Sequence, residues 1–93
     1  MAGEKEVRFF SADAPDAELF GKRLKELREK RGFTLRALAD ATGMSLAFIS
    51  DLERGMKLPS LTTLLRLAVA LDCKVTALVA PFDKVDIRAM LPK

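Results

Sequence analysis

The stretch TLRALADATGMSLAFISDLERG, residues 34–55, contains two short helical patterns separated by a glycine. Thr34 and Ser45 each stand immediately before one pattern, where a side-chain oxygen can accept a hydrogen bond from a first-turn backbone N–H. Gly43 and Gly55 stand where the patterns end, and Gly43 suits a sharp turn with positive φ. The stretch therefore predicts two short helices joined by a tight turn.

The residue types inside the stretch indicate how these two helices meet. Ala39 lies in the middle of the first helix, where a small side chain lets a second helix cross at a steep angle. Leu38, Ile49 and Leu52 are the apolar residues that would anchor the two helices to a core. This is helix-turn-helix geometry, in which the second helix is presented to the major groove of DNA.

Three further helical patterns surround this pair. Residues 16–31 are amphipathic, with apolar side chains at i, i+4 and i+7, namely Phe20, Leu24 and Leu27. Ser60 precedes a helix over residues 61–71 whose wide apolar stripe consists of Leu61, Leu64, Leu65, Leu67, Ala68 and Leu71. A short fifth helix is expected at Val75–Ala80, stopped by Pro81. The sequence thus predicts an all-α fold, a compact bundle of four or five helices.

The two ends of the chain differ from this helical middle. Residues 6–10 and residues 85–89 alternate weakly between apolar and polar side chains, which permits a short β-strand in each. We therefore divide the chain into an N-terminal arm (1–15), a helix-turn-helix domain (16–80) and a C-terminal tail (81–93).

Composition limits the classes of function. A chain of 93 residues with a net charge of +3 suits one domain, and the mild basic excess permits nucleic-acid binding without proving it. No apolar run approaches the roughly 18 residues of a membrane span, and no signal-peptide pattern is present, so we expect a cytoplasmic protein. Histidine is absent and Cys73 is the single cysteine. No metal, cofactor, catalytic residue or enzymatic activity is therefore expected.

Residues 19–79 resemble the Xre family, the Cro/CI-type helix-turn-helix of phage repressors and many bacterial regulators. The resemblance is carried by four runs: RLKELREKRGFT, LRALADATGMS, FISDLERG and PSLTTLLRLAVAL. It implies a phage-repressor-like domain that regulates transcription by binding double-stranded DNA, with the helix 46–54 in the major groove.

The resemblance also implies roles for individual residues. The base-facing positions are Ser45, Leu46, Ala47, Ser50 and Asp51. The phosphate contacts, some made by backbone amides, are Thr34, Leu35, Arg36, Arg54, Lys57 and Ser60. A structural ion pair is expected between Arg28 and Glu53. Capping alone would also account for Ser45, and ordinary solvation would account for each of the exposed charges.

The sequence departs from the family pattern in two places, at Leu35 and in the recognition helix. Leu35 stands where many members place a phosphate-holding glutamine, so one side-chain contact is lost while the backbone amide survives. Leu46 and Ala47 cannot hydrogen-bond base edges, although they can contact thymine methyl groups. Asp51 would be repelled by phosphates unless it meets a cytosine amino group. This helix should therefore read DNA by methyl contact and exclusion, with DNA shape supplying the rest.

The leading interpretation is a homodimeric repressor bound to a palindromic operator, with recognition helices about 34 Å apart. The expected dimer surface is C-terminal: Val75, Leu78, Val79, Phe82, Val85 and Ile87. The alternatives are a monomer, or an antitoxin that uses the same fold to sequester a toxin or other protein partner. Cys73 is expected to be a buried structural thiol, with a redox sensor as the minor alternative.

Overall fold

The computed structural model describes residues 15–84, and within that range the chain forms five α-helices and no strand. The helices are α1 (Pro15–Lys30), α2 (Leu35–Thr42), α3 (Leu46–Glu53), α4 (Leu61–Ala70) and α5 (Val75–Val79), followed by a 3-10 helix at Ala80–Lys84. This confirms the all-α prediction. The strands predicted at 6–10 and 85–89 lie outside the described residues. None of the helices in residues 15–84 has the length and apolarity to cross a membrane.

The three central helices begin at the hydroxyl residues that the sequence singles out. In each, the side-chain oxygen accepts a hydrogen bond from the backbone N–H three residues later, at 3.0–3.1 Å: Ala37 to Thr34, Phe48 to Ser45 and Thr63 to Ser60. Gly43 ends α2 in the left-handed region, with φ of 72°, and its N–H donates back to the last turn. These caps satisfy end groups that helices of eight to ten residues could not satisfy alone.

The core lies where all five helices converge. Its fully buried large side chains come from every helix and are Leu24, Leu38, Ile49, Leu52, Leu67, Leu71 and Leu78. Helix α1 packs against α3 and α5, while α2 packs against α3 and α4. Because α3 touches both α1 and α2, its orientation is fixed by two independent packing surfaces.

Gly21 allows α1 to approach the end of α3 at backbone distance. A Cβ atom at this position would lie 2.5 Å from the carbonyl oxygen of Glu53 and 2.6 Å from that of Leu52. Real Cβ atoms do not approach carbonyl oxygens this closely, so only glycine fits without displacement. Sequence reasoning did not identify this residue, because nothing local distinguishes it from another helical small residue.

The C-terminal part differs from the prediction. The helix expected at Val75–Ala80 ends at Val79, and the chain continues through Pro81 as a 3-10 helix. Proline lacks the N–H of an α-helical hydrogen bond, which favours the tighter and shorter helix. Phe82 packs against the hydrophobic core. The 3-10 helix therefore packs against the helices through Phe82.

Candidate nucleic-acid interface

One side of α3 is buried and the opposite side is presented outward. Ile49 and Leu52 have no exposed surface, and Phe48 packs against the core from the edge. Three of the predicted base-facing residues are exposed, namely Ser45, Leu46 and Ala47. The other two, Ser50 and Asp51, are half-buried. Their spacing places Leu46, Ala47, Ser50 and Asp51 on one face of the helix. The outward face therefore presents two apolar side chains, two hydroxyls and one carboxylate, all on short side chains.

The first turns of α2 and α4 offer backbone N–H groups. First-turn N–H groups have no carbonyl partner four residues earlier, and each cap hydroxyl accepts only one of them. Arg36, in the first turn of α2, is exposed, as are Thr34 and Ser60. Leu35 instead packs its half-buried side chain against the core, so its polar contribution at this position is its backbone amide. This explains how leucine is accommodated where the family pattern has glutamine.

Arg28 and Glu53 form the expected ion pair. Arg28 Nε donates to Glu53 Oε2 at 2.5 Å, and Arg28 Nη2 donates to Oε1 at 3.1 Å. Arg28 Nη1 donates to the Phe33 carbonyl at 2.7 Å. The two side chains are only 10% and 7% exposed. The hydrogen bond from Arg28 to Glu53 raises the pKa of the guanidinium, against the opposing effect of burial. The pair ties the end of α3 to α1 and to the loop before α2.

A second, exposed cluster surrounds the carboxylate of Asp51. Arg54 Nη2 lies 2.6 Å from Asp51 Oδ1, and Lys57 Nζ lies 3.5 Å from Oδ2. Lys57 Nζ also lies 5.5 Å from the centroid of the Phe48 ring. The Arg54 hydrogen bond, assisted by the charge of Lys57, holds the pKa of Asp51 below its ordinary value. The sequence assigns Asp51 to a base contact and both Arg54 and Lys57 to phosphate contacts, although the i, i+3 spacing of Asp51 and Arg54 is a signal that these two side chains meet.

A third feature is an apolar ridge on the outer side of α4. Leu61, Leu65 and Val69 follow one another at i, i+4 and i+8 and are 69%, 49% and 81% exposed. The sequence places Leu61 and Leu65 in the wide apolar stripe of this helix, and the structure leaves both of them exposed. The stripe was wider than one packing face covers, and that width was the available signal.

Two grooves flank this ridge, and Leu65 and Val69 line both. One groove is completed by residues of α2 and α4: Ala41, Thr42 and Arg66. The other is completed by Ala68 and the turn into α5: Asp72, Cys73, Lys74 and Val75. The outer side of α4 is therefore an apolar ridge between two grooves bordered by charged residues.

The structure corrects part of the expected dimer surface. Leu78 has no exposed surface because it belongs to the core of its own chain, so it cannot touch a partner in this conformation. Val75, Val79 and Phe82 are half-buried. Val85 and Ile87 lie outside the described residues.

Cys73 is half-buried rather than fully buried. It packs against the core and borders the groove beside Val69. Burial raises the pKa of its thiol. At neutral pH the side chain therefore stays in the protonated, less nucleophilic form.

Comparison with known proteins supports the helix-turn-helix assignment. The helix-turn-helix family model HTH_3 matches residues 24–78. The chain is 35% identical over 65 residues to the HTH-type transcriptional regulator SutR of Escherichia coli, covering 70% of this chain and 36% of SutR. It is 39% identical over 59 residues to an immunity repressor protein of Bacillus phage phi105, covering 63% of this chain and 41% of the repressor. The chain thus spans well under half the length of these two relatives.

One solved structure shares this fold over nearly the whole length of the solved protein. The restriction-modification controller protein C.AhdI from Aeromonas hydrophila superimposes with a TM-score of 0.66 at 38% sequence identity. The match covers 68% of this chain and 96% of C.AhdI.

Proposed function

The chain belongs to the HTH_3 helix-turn-helix family of DNA-binding transcriptional regulators, which are not enzymes, and from that premise we propose that it is a homodimeric repressor of a palindromic operator. The observation that carries the proposal is the outward face of α3. That face combines small side chains with two cations at the C-terminal end of the helix, Arg54 and Lys57.

In the proposed complex, α3 lies in the major groove. Leu46 and Ala47 would contact thymine methyl groups, and the hydroxyls of Ser45 and Ser50 would bond base edges or phosphates. None of these side chains is long, so the backbone of α3 must come close to the bases. The fixed orientation of α3 on α1 and α2 supports such a close approach.

Phosphate contacts would come from both sides of the groove. The exposed cations Arg36, Arg54 and Lys57 supply charge, and the first-turn amides of α2 and α4, near Leu35 and Ser60, supply directed N–H groups. Contacts of this kind fix the position of the protein without reading sequence. They should make binding strongly dependent on salt.

The ridge on α4 is the proposed dimer surface, and its occupant is a second copy of this chain. A two-fold interface uses the same patch on both subunits, so the ridge of one subunit would lie in a groove beside the ridge of the other. Arg66 borders one groove, and Asp72 and Lys74 border the other, so Arg66 of one subunit would meet Asp72 of the second across the interface. A stable interface needs about 800 Å² per subunit. Leu61, Leu65 and Val69 would form its apolar centre.

Selection from random duplexes, repeated at two salt concentrations, tests the DNA side of the proposal. We expect an enriched palindrome whose half-site centres are about one helical turn apart. Enrichment of no sequence at either salt concentration would contradict the proposal. Enrichment of an isolated half-site would keep DNA reading and remove the two-fold arrangement.

Light scattering on purified variants tests the dimer surface. Leu65→Glu and Val69→Glu should convert a dimer to a folded monomer, because each places two carboxylates in an apolar interface. Met56→Glu is the matched control, since Met56 is an apolar residue outside α4 whose exposure, 55%, lies between those of Leu65 and Val69. A wild-type monomer that also selects no palindrome would favour the antitoxin alternative, in which the ridge receives another protein.

A further inference from the structure

The Asp51 carboxylate joins two groups that the proposed DNA contact requires. Arg54 reaches one carboxylate oxygen and Lys57 approaches the other, while the Asp51 side chain itself is only 24% exposed. Lys57 is further restricted by the Phe48 ring beneath its ammonium group. Both cations therefore lie beside one carboxylate on the outward side of α3 when no DNA is present.

We propose that Asp51 is a specificity-determining residue that acts through Arg54 and Lys57, by holding both cations until DNA phosphates replace it. The proposal rests on the DNA-binding function proposed above and deepens it. It assigns Asp51 a role as an internal competitor of the phosphate backbone, in addition to the contact with a base that its position suggests.

The physical consequence follows from how non-specific binding works. Nearly all the affinity of a protein for an arbitrary duplex comes from phosphate contacts and the counterions that they release. The Asp51 carboxylate already neutralises Arg54 and Lys57, so it reduces the affinity that these two cations gain from phosphate contacts. A phosphate must then displace Asp51 from each cation, which lowers affinity for any duplex that offers nothing in return.

An operator can replace the hydrogen bonds that Asp51 loses, whereas a random duplex cannot. Once Arg54 and Lys57 turn to phosphates, the freed carboxylate needs a new hydrogen-bond donor, and in the major groove that donor is the cytosine amino group. A duplex with cytosine opposite Asp51 recovers the lost interaction, and other duplexes do not. Specificity is a difference of affinities, so weakening the wrong complexes raises it as effectively as strengthening the right one.

A double-mutant cycle on the full chain tests whether Asp51 acts through the two cations. Asp51→Asn should raise affinity for a random duplex about five-fold in the wild-type background, since two exposed ion pairs are released. In an Arg54→Gln/Lys57→Gln background the same substitution should change affinity less than about two-fold. Asp51→Glu keeps the charge and should restore affinity close to wild type.

The control for charge alone is Asp40→Asn. Asp40 is exposed on α2, and no cation lies within ion-pair distance of it in residues 15–84. This variant should bind a random duplex within about two-fold of wild type, because long-range charge effects are largely screened at physiological salt.

The outcomes separate the two proposals. An equal gain from Asp51→Asn in both backgrounds would show simple repulsion of phosphates, and a gain no larger than that of Asp40→Asn would show only net charge. A loss of affinity would show that Asp51 preorganises the cations. Each of these overturns the inference while leaving DNA binding intact. Absence of binding by wild type and every variant at about 50 mM salt would overturn the proposed function and this inference with it.

Discussion

Glu53 and Arg54 are neighbours in sequence, yet they enter ion pairs of opposite character. Glu53 points inward to Arg28, where both side chains are almost completely removed from solvent. Arg54 points outward to Asp51 and is 65% exposed. Breaking a buried pair leaves a charge without solvation, while an exposed pair exchanges partners at little cost. The inner pair is suited to fixing the position of α3, and the outer pair is suited to releasing its cation to another anion.

The largest expected effect comes from breaking the inner pair. Arg28→Ala should lower the free energy of unfolding by about 3–5 kcal/mol, because Glu53 would be left buried and unpaired. It would also remove the donor to the Phe33 carbonyl. Urea denaturation followed by circular dichroism measures the change.

Arg54→Ala is the matched control for Arg28→Ala. It removes the same type of residue from the exposed pair and should cost at most about 1 kcal/mol. If the two variants lost equal stability, the contrast between an inner and an outer pair would be wrong.

The next largest effect should come from Gly21, which brings α1 against the same end of α3. Gly21→Ala places a methyl group against two carbonyl oxygens and should cost about 3 kcal/mol, the upper end of the range for overpacked sites. Gly32→Ala is the control, because Gly32 has positive φ but nothing within 4 Å of an added Cβ. Backbone strain alone should then cost about 1 kcal/mol. Thermal unfolding of the two variants would contradict this assignment if Gly32→Ala were the less stable.

The local chemistry of the fold was predictable from the sequence. Thr34, Ser45 and Ser60 cap their helices with their own side chains, and Gly43 terminates α2 by its own φ, so neighbouring residues suffice to locate these ends. The Arg28–Glu53 pair joins residues 25 positions apart and was expected only through the family resemblance. A distant contact of this kind leaves no trace in local periodicity.

Other features could not be predicted because they depend on which surfaces meet. Apolar periodicity marks Leu65 and Leu78 alike, but the first lies outside and the second lies in the core. Periodicity measures the direction of a side chain around its own helix and says nothing about what covers it. For the same reason, periodicity does not show that Leu78 is covered by its own chain rather than by a partner. The need for glycine at position 21 likewise comes from a distant element, the end of α3.

A smaller effect is expected on DNA binding from the outer pair. Arg54→Gln should weaken binding to all duplexes alike and lower the salt slope of log affinity by about one unit. Fluorescence anisotropy over a series of salt concentrations measures both quantities. The control is Lys25→Gln. Lys25 is an exposed cation on α1, in a groove that Pro81 also lines. A loss confined to one sequence would show that Arg54 reads a base.

The smallest effect sharpens the comparison without any DNA. The pKa of Asp51 lies below its ordinary value of 3.8 mainly because Arg54 hydrogen-bonds to the carboxylate. A depressed folded-state pKa means that the charged form contributes stability above the ordinary pKa, and that this contribution is lost as pH falls through the folded value. The contribution of Asp51 to stability is therefore lost at about pH 4 and below.

Carbon-detected NMR titration of the Asp51 carboxyl group tests this directly. In wild type the midpoint should lie below 3.8, and Arg54→Gln should move it upward toward that value, with the remaining depression due to Lys57. Arg28→Lys serves as the control, because it alters the inner pair and should leave this midpoint unchanged. If Arg54→Gln left the midpoint in place, Asp51 and Arg54 would not be paired in solution, and the cation at the end of α3 would already be free for phosphate.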